Sequence, residues 1–366
     1  MFKHLRFHKM TSSLMATFTM PFVMEPAFAQ GPVQPVVDLS AEKIVQFGLV
    51  VKDAEKVAKR FSEVFGMTPW RLYDFRPKGI VLRDKLLGDV ECHLKVATAD
   101  MGGRSFKLIQ PVTGPSAYME FMQKYGEGFL YFSLGTLMDH DAKVAALKKA
   151  GVGIEMQGLL GRTTTFTILD TLEDLGCYIE LVSPAWGDAE NNMQPAGVYE
   201  HKGPGIIDMA TPLFSGGKRI TQVGIVLKDE KRAAKRYQEL LGVGPWRIAP
   251  GAQKKDAFLD EKPVPEEGLP GLHNDTAFAY LGDIQFELLK PAGGPSCHRK
   301  FLDKRGNGIQ HVSFGRQTDY DRVIAELKKA GINSEYSATL GGNRIVNYLA
   351  MQDQMGGFQL EVTKFT

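Results

Sequence analysis

The sequence is poor in cysteine, and this shortage excludes several kinds of site. Three cysteines, Cys92, Cys177 and Cys297, are scattered over 366 residues without a C-x-x-C pair. An odd number of widely spaced cysteines argues against a disulfide framework, and their spacing matches no zinc motif. We therefore predict three small side chains that are buried or half-buried and carry free thiols.

The chain also lacks an excess of either charge. It contains 44 Lys and Arg against 42 Asp and Glu, which leaves a formal net charge of +2. A nucleic-acid-binding protein usually carries a basic patch, and none is apparent here. Beyond the N-terminal region, no apolar run is long enough to span a membrane. The composition favours an ordinary globular protein that acts on a small molecule and binds neither nucleic acid nor the membrane interior.

Residues 1–29 differ from the rest of the chain. Three basic residues precede a weakly apolar run from Met10 to Met24, and Ala27-Phe28-Ala29 forms an A-x-A site. This order is typical of a secretory signal peptide. We predict that the segment is removed and that the mature protein is exported, most simply to a periplasm.

What the sequence does contain is an internal repeat. The stretch from Gln46 to Arg71 returns at Gln222 to Arg247, with Gln, Gly, Lys-Asp, Ala-Lys-Arg and Pro-Trp-Arg in register at an offset of 176. A second stretch, from Phe106 to Gly135, returns at Phe286 to Gly315 at an offset of 180. Such self-similarity means that the chain is two homologous halves. We predict domains at 41–184 and 218–366, joined by a Gly- and Pro-rich linker at 185–217.

Each copy of the first stretch predicts a strand, a helix and another strand. A β-branched apolar run is followed by Asp53 or Asp229, which we expect to cap an amphipathic helix that ends at Gly66 or Gly242. The second half differs by an insertion, 252–275, which is rich in Pro and charge. It predicts a long irregular loop, either a lid over a site or a solvated excursion.

Four β-α-β-β-β modules in tandem give the chain its resemblance to a known family. The sequence resembles the vicinal oxygen chelate superfamily, which includes glyoxalase I, methylmalonyl-CoA epimerase, bleomycin-resistance proteins and extradiol dioxygenases. The sequence is most similar to the epimerases in three motifs, which are FELLKP from Phe286, GIQHVSF from Gly308 and GGNRI from Gly341. The resemblance implies an α+β fold in which the modules form two cup-shaped domains.

The resemblance also implies one divalent metal ion inside a cup. The family takes its metal ligands from the first and last strands of two modules, and in the second half these positions hold Gln222, Glu287, His311 and Glu361. This set is similar to the ligands of animal glyoxalase I. One imidazole and three oxygen ligands suit Zn, Ni, Co or Mn.

The first half provides an internal comparison. Its matching positions hold Gln46, Lys107, Tyr131 and Glu180, where an ammonium and a phenol replace two ligands. We therefore expect no metal there. One alternative stays open at this point, because some family members pair non-consecutive modules. In that case Gln222 and Glu287 would face Tyr131 and Glu180.

The resemblance implies a lyase or isomerase that removes a proton next to a carbonyl of a small oxygenated substrate, through a metal-stabilised enediolate. Glu361 or Glu287 would act as the general base. Further candidates for contact with substrate are Arg344, His298 and Trp246. We expect a monomer or homodimer.

Two other functions compete. Ring-cleaving extradiol-type dioxygenation normally needs two histidines and one carboxylate on iron, whereas the set here has only His311. A protein of the bleomycin-resistance kind would bind a small molecule without any metal. Metal content separates this last possibility from both enzymes.

Overall fold

The structure is a computed structural model. It describes residues 33–364 except for 89, 162, 185–193, 208–218, 250, 252–253, 270, 317–318 and 342–343. The predicted signal peptide lies outside the described residues.

In the first half, the described strands form one sheet of eleven, accompanied by four helices. The strands are β1 (Gln46–Val50), β2 (Trp70–Phe75), β3 (Lys78–Leu82), β4 (Lys85–Leu86), β5 (His93–Met101), β6 (Arg104–Thr113), β7 (Gly128–Thr136), β8 (Ile154–Leu160), β9 (Thr164–Leu169), β10 (Tyr178–Val182) and β11 (Gly197–Tyr199). The helices are α1 (Ala54–Phe65), α2 (Ala117–Tyr125), α3 (His140–Lys149) and α4 (Leu172–Leu175).

In the second half, the described strands form a separate sheet of ten, with three helices and a short 3-10 turn at Glu266–Gly268. The strands are β12 (Gln222–Val226), β13 (Arg247–Ala249), β14 (Lys255–Leu259), β15 (Lys262–Pro263), β16 (Asn274–Leu281), β17 (Ile284–Pro291), β18 (Gly308–Arg316), β19 (Ser334–Leu340), β20 (Arg344–Leu349) and β21 (Leu360–Lys364). The helices are α5 (Glu230–Leu241), α6 (Cys297–Arg305) and α7 (Tyr320–Lys329).

Strand order shows which modules pair. At the centre of the first sheet β1 runs parallel to β6 and antiparallel to β7, so the first two modules join each other. In the second sheet β12 likewise runs parallel to β17 and antiparallel to β18. The α+β fold of two paired-module cups is therefore confirmed. The alternative in which Gln222 and Glu287 face Tyr131 and Glu180 is wrong, because each sheet pairs consecutive modules.

The segment 252–275, which was expected to be a long irregular loop, contains the paired strands β14 and β15 and the 3-10 turn, so that prediction was wrong for these parts. Within it, β14 pairs antiparallel with β19, which belongs to the next module. In the first half β3 pairs with β8 in the same manner, a pair of strands that the sequence patterns also did not indicate. Both segments are stabilised by partners far away in the chain, which a local pattern does not reveal.

The two halves share one hydrophobic core. The helix α1 lies between the sheets, where the Phe61 ring is 5.1 Å from that of Phe358 and the Phe65 ring is 5.9 Å from that of Phe314. The N-terminal lead-in also reaches the second half, since the backbone N–H of Leu39 donates to the carbonyl of Leu241. In the segment expected to be a linker, β11 extends the first sheet by pairing with β2.

The three cysteines are free and buried, as predicted. Among the helices of the described residues, none combines the length and hydropathy that a membrane span requires.

Both predicted helix caps are confirmed. The Asp53 carboxylate accepts a hydrogen bond from the backbone N–H of Lys56, and that of Asp229 accepts one from Arg232. The helix α7 follows Asp319, whose side chain makes no such bond to the backbone. These aspartates form a matched set for measuring what a cap contributes.

We expect Asp229→Ala to lower the free energy of unfolding by about 1 kcal/mol, because the first turn of α5 loses its acceptor. Asp319→Ala is the control and should cost clearly less, since only an exposed ion pair with Arg322 is lost. Chemical denaturation followed by circular dichroism measures both changes. Equal losses in the two variants would contradict the capping account.

Candidate metal centre

The four candidate ligands come from the four central strands of the second sheet. Gln222 begins β12, and Glu287, His311 and Glu361 lie on β17, β18 and β21. Their strands are adjacent, and the backbone of Gly224 is in register with both Glu287 and His311. Consecutive pairing of modules thus brings together residues that are far apart in the sequence.

Gly224 makes room for the imidazole. A Cβ atom at this position would lie 1.9 Å from Cε1 and 2.3 Å from Nε2 of His311, which is too close for any side chain. In the first half Gly48 gives the same space to the ring of Tyr131. The glycine of the repeat therefore fixes the place of whichever ring the facing strand supplies.

Three of the side chains converge on one point. Nε2 of His311 is 3.1 Å from a carboxylate oxygen of Glu361 and 3.6 Å from one of Glu287. One potential ligand atom from each residue lies within 4.8 Å of the others. His311 is fully buried and the side chains of Glu361 and Glu287 are only 8% and 14% exposed, so little solvent screens their charges.

A chain of hydrogen bonds fixes the orientation of the imidazole. Nδ1 of His311 lies 2.6 Å from the amide oxygen of Gln310, whose amide group in turn donates to Gln359. Gln359 then donates to the carboxylate of Glu335. Because an amide oxygen only accepts, Nδ1 carries a proton, and Nε2 is the ring nitrogen that faces the two carboxylates.

The titration behaviour of His311 reflects the two carboxylates. Burial alone lowers its pKa, but Glu287 and Glu361 outweigh burial and raise the pKa to about 9. For Glu361, burial acts to raise the pKa, whereas His311, the hydroxyl of Thr363 and the charge of Arg344 together bring it below its usual value. The arrangement favours a positive charge between these side chains, either a proton or a metal ion.

The hydrogen-bond inventory supports a cation at this point. Nε2 of His311 and Oε2 of Glu361 are both buried, and neither has an aligned hydrogen-bond partner in the described structure. Buried polar atoms are normally paired, and these two lie 3.1 Å apart without an aligned bond, so a proton or a metal ion held by both atoms would satisfy them. One imidazole nitrogen with carboxylate oxygens is a donor set that suits a divalent ion of the zinc or manganese type. The residues therefore fit the implied metal.

Gln222 is the fourth candidate and lies partly buried. Its amide nitrogen donates to the side-chain oxygen of Gln285 at 3.0 Å. Because this bond uses the NH₂ group, the amide is oriented with its oxygen as the remaining ligand atom. The role of Gln222 as a ligand stays a prediction.

The first half differs in its charges. Lys107 occupies the position of Glu287, and its ammonium lies 3.9 Å from the carboxylate of Glu180. The ring of Tyr131, fully buried, takes the place of His311. An ammonium already stands where a metal ligand would be, so the expectation of no metal in this half is consistent with the geometry.

The second cup is polar at positions where the first is apolar. Sheet register and the repeat offset align its buried polar side chains with apolar or phenolic ones in the first half, and all of them are buried. The pairs are Asn274 with Leu94, Cys297 with Ala117, His298 with Tyr118, Gln310 with Leu130, Tyr336 with Met156, and Tyr348 with Ile168. Polarity is thus concentrated around the candidate metal centre.

Lys254 is a functional candidate that the sequence did not suggest. Its ammonium is buried without a hydrogen-bond partner in the described chain and lies 5.1 Å from the ring centroid of Tyr336. Burial lowers its pKa to about 8, although Cys297, Glu287 and Glu361 act in the opposite direction. Its strand register aligns it with Pro77 in the first half. Only the pairing of β14 with β19 reveals its position.

The three residues proposed to contact substrate fall in different places. His298 is fully buried, its Nε2 makes no hydrogen bond to any described residue, and its ring centroid is 6.0 Å from that of His311. Arg344 is exposed at the start of β20, and its charge acts on Glu361. Trp246 lies instead in the shared core, where its indole N–H donates to the carbonyl of Val243. The prediction that Trp246 contacts substrate is therefore wrong. Its ring packs in the core, and its indole N–H, the only polar group of the side chain, is hydrogen-bonded there.

Comparisons with known proteins agree with this architecture. Residues 45–166 and 221–348 each match the family model described as the glyoxalase/bleomycin resistance protein/dioxygenase superfamily. Human mitochondrial methylmalonyl-CoA epimerase is 30% identical over 117 residues, which is 32% of this chain and 56% of that protein. The uncharacterized protein YqjC of Bacillus subtilis is 28% identical over 96 residues, which is 26% of this chain and 56% of that protein. The chain thus spans about half the length of these relatives.

Among solved structures, a mutant of 4-hydroxymandelate synthase from Streptomyces coelicolor is similar in fold. The match has a TM-score of 0.50 at 13% identity and covers 88% of this chain and 92% of that one. At this identity the match supports the arrangement of two halves and carries no information on chemistry. The two matched regions cover most of the chain, one in each half, and the chain belongs to the glyoxalase/bleomycin resistance protein/dioxygenase superfamily.

Proposed function

We propose that the protein is a metal-dependent lyase or isomerase that removes a proton next to a carbonyl of a small oxygenated substrate. The observation that carries this proposal is the convergence of His311, Glu287 and Glu361 with ligand atoms within 4.8 Å of one another. The similarity to methylmalonyl-CoA epimerase supports the same chemistry, because epimerisation next to a carbonyl requires such a proton transfer.

Nε2 of His311 and a carboxylate oxygen of Glu361 would hold a divalent ion, with Gln222 and Glu287 completing the set. When bound, the ion acts as a Lewis acid that stabilises negative charge on a carbonyl oxygen as the neighbouring C–H loses its proton. The protein contributes the fixed geometry. Gly224 and the chain through Gln310 hold the imidazole in place before substrate arrives.

The two carboxylates are held differently, and this suggests separate roles. The hydroxyl of Thr363 donates to Glu361 at 3.0 Å and fixes that carboxylate on its strand. Glu287 is more exposed and lies farther from Nε2 of His311, at 3.6 Å. We assign Glu361 as a fixed ligand and Glu287 as the general base that takes the proton and returns it.

Lys254 supplies a second positive group for the substrate. A buried ammonium without a partner is costly unless a ligand compensates it. Its charge acts on Glu287 and Glu361, and its ammonium lies 5.1 Å from the ring centroid of Tyr336 in the same cup, which supports a role near the reacting region. We propose that it receives an anionic or carbonyl oxygen of the substrate and so orients the C–H bond toward Glu287.

Ring-cleaving dioxygenation is the second enzymatic candidate. The fold of 4-hydroxymandelate synthase is shared, but one imidazole in the candidate set is one fewer than the usual two-histidine iron site. His298 does not change this, because its ring nitrogens are not among the ligand atoms that converge within 4.8 Å of one another in the described structure. The donor set therefore favours proton transfer over dioxygenation.

The signal peptide predicted at residues 1–29 bears on the substrate. We propose that the mature protein is exported, and coenzyme A thioesters are cytoplasmic. A small oxygenated or aromatic metabolite outside the cytoplasm is then a better substrate than methylmalonyl-CoA. N-terminal sequencing of the mature protein tests the location.

Metal content is the first test of the centre. We expect about one equivalent of Zn in wild-type protein after loading and dialysis, and strongly reduced occupancy in His311→Ala and Glu361→Gln. The matched control is Glu180→Gln in the first half, which should leave occupancy unchanged. Elemental analysis measures all four proteins. Equal metal content in wild type and both second-half variants would exclude the proposed site, and absence of metal from wild type would favour the metal-free binding function.

Metal binding should release a proton. Because the pKa of His311 is about 9 without metal, nearly every molecule carries this proton at pH 7 and must lose it to bind Zn. We expect about one proton released at pH 7, and an apparent affinity that rises about tenfold per pH unit from pH 6 to 8. Calorimetric titration in buffers of different ionisation enthalpy measures this release.

His298→Gln is the control for proton release. Burial, with the charges of Lys254 and His311, holds the pKa of His298 well below its usual value, so this imidazole is neutral at pH 7 and has no proton to give. The variant should release the same proton as wild type. A release close to zero in wild type, or an affinity that falls as the pH rises, would contradict the account.

Hydrogen exchange tests the reaction. We expect the Zn-loaded protein to catalyse exchange of the C–H hydrogens of hydroxyacetone, a simple hydroxy ketone, with deuterated water, without uptake of oxygen. Glu287→Gln should lower the exchange rate by about 100-fold or more while metal stays bound, because the general base is lost. Nuclear magnetic resonance and an oxygen electrode provide the two readouts. Exchange that is unaffected by Glu287→Gln, or oxygen consumption, would argue against this assignment.

A further inference from the structure

The concave side of the first half contains a cavity of its own. Its volume is about 500 Å³, which lies in the range of small-molecule sites. Apolar side chains from both modules line it, including Tyr73, Phe75, Val96 and Leu160. The cavity also includes Lys107, so it occupies in this half the place that the candidate metal centre occupies in the other.

Two buried polar oxygen atoms at this cavity make no hydrogen bond to the described part of the chain. The side chains of Glu180 and Thr164 both line the cavity and are only 2% exposed. Neither Oε1 of Glu180 nor Oγ1 of Thr164 makes a hydrogen bond within the described structure. The ammonium of Lys107 lies 3.9 Å from Glu180, close enough for an ion pair but beyond hydrogen-bond distance. Buried oxygens of this kind normally take part in hydrogen bonds, so the two atoms point to a ligand that supplies a polar group.

The charges identify that group. The ammonium of Lys107 repels a metal ion, and together with the carboxylate of Glu180 it makes a pair with no net charge. A hydroxyl group can donate to Glu180 and accept from Lys107 at the same time, whereas a carboxylate can only accept and an ammonium can only donate. The apolar and aromatic walls suit an apolar ring attached to this hydroxyl.

We propose that the first half is a second, metal-independent binding site for a neutral, hydroxylated aromatic molecule. The hydroxyl bridges Lys107 and Glu180, and the ring lies against Tyr73 and Phe75. This proposal does not depend on the metal centre or on the reaction assigned to the second half. It gives the first half a ligand of its own, in addition to its role in stabilising the fold.

The repeat supplies a matched way to close the site. Thr98 lines the cavity, and the register of the second sheet places Phe278 at the corresponding position. Tyr73 corresponds to Ala249, so the two cups carry aromatic side chains at different positions of these strands. Thr98→Phe therefore introduces a side chain that the fold already accepts in the homologous cup and fills the space that a ring would occupy.

The test uses 2-naphthol as the probe and the full mature chain, with and without Zn. Equilibrium dialysis followed by naphthol fluorescence measures the binding. We expect one naphthol per chain in both states, and affinity at least tenfold lower for Lys107→Met and for Glu180→Gln, because each loses a hydrogen bond to a charged group. Thr98→Phe should abolish binding. The analogue 2-methoxynaphthalene, which has no donor, should bind about tenfold more weakly than naphthol.

The controls separate this site from the other cup and from misfolding. Glu287→Gln and Glu361→Gln alter the second half and should leave naphthol affinity unchanged. Unchanged circular dichroism spectra and thermal unfolding midpoints in the three first-half variants show that they are folded. The proposal is overturned if naphthol does not bind up to its solubility limit, if the first-half variants bind it as wild type does, if the second-half variants abolish binding, or if the methoxy analogue binds equally well.

Discussion

The account depends on a buried imidazole placed between two buried carboxylates. Taking Glu287 and Glu361 out of water costs several kcal/mol per charge unless a positive charge compensates them. His311 can compensate only by holding a proton, and this is why its pKa is raised to about 9. A divalent ion compensates both carboxylates more completely and uses the lone pair that Gln310 orients. The electrostatics of the second cup are therefore those of a cation site.

The duplicated fold shows how such a site is gained or lost without a change of architecture. Both sheets place a ring from the second module against a glycine of the first, Tyr131 on Gly48 and His311 on Gly224. Around this shared geometry, the aligned buried residues are mainly apolar in the first cup and polar in the second. The core that packs Phe61 against Phe358 requires both halves, so the first half stabilises the half that carries the candidate metal centre.

Much of the fold could be predicted from the sequence because its signals are local. Short sequence patterns indicate the strand–helix–strand repeat and the capping residues Asp53 and Asp229. The structure confirms both. The strands β3 and β14 were missed because their partners belong to another module. Long-range pairing of this kind leaves no periodicity that distinguishes a short strand from a loop.

The site was predictable in part for the same reason. The positions of His311, Glu287 and Glu361 followed from the family resemblance and from the repeat, and the structure brings these three together. Lys254 could not be foreseen, because its burial results from the pairing of β14 with β19. Trp246 was misassigned because the tryptophan of the repeated Pro-Trp-Arg motif is equally suited to a core, and here it packs in the shared core.

X-ray absorption spectroscopy of the Zn-loaded full-length protein tests the central claim most directly, because it reports the ligand atoms themselves. The account predicts the scattering pattern of a single imidazole, with oxygen as the remaining ligands at about 2.0–2.2 Å. A sulfur ligand at about 2.3 Å, as Cys297 would provide, or the pattern of two imidazoles, as recruitment of His298 would produce, would contradict it.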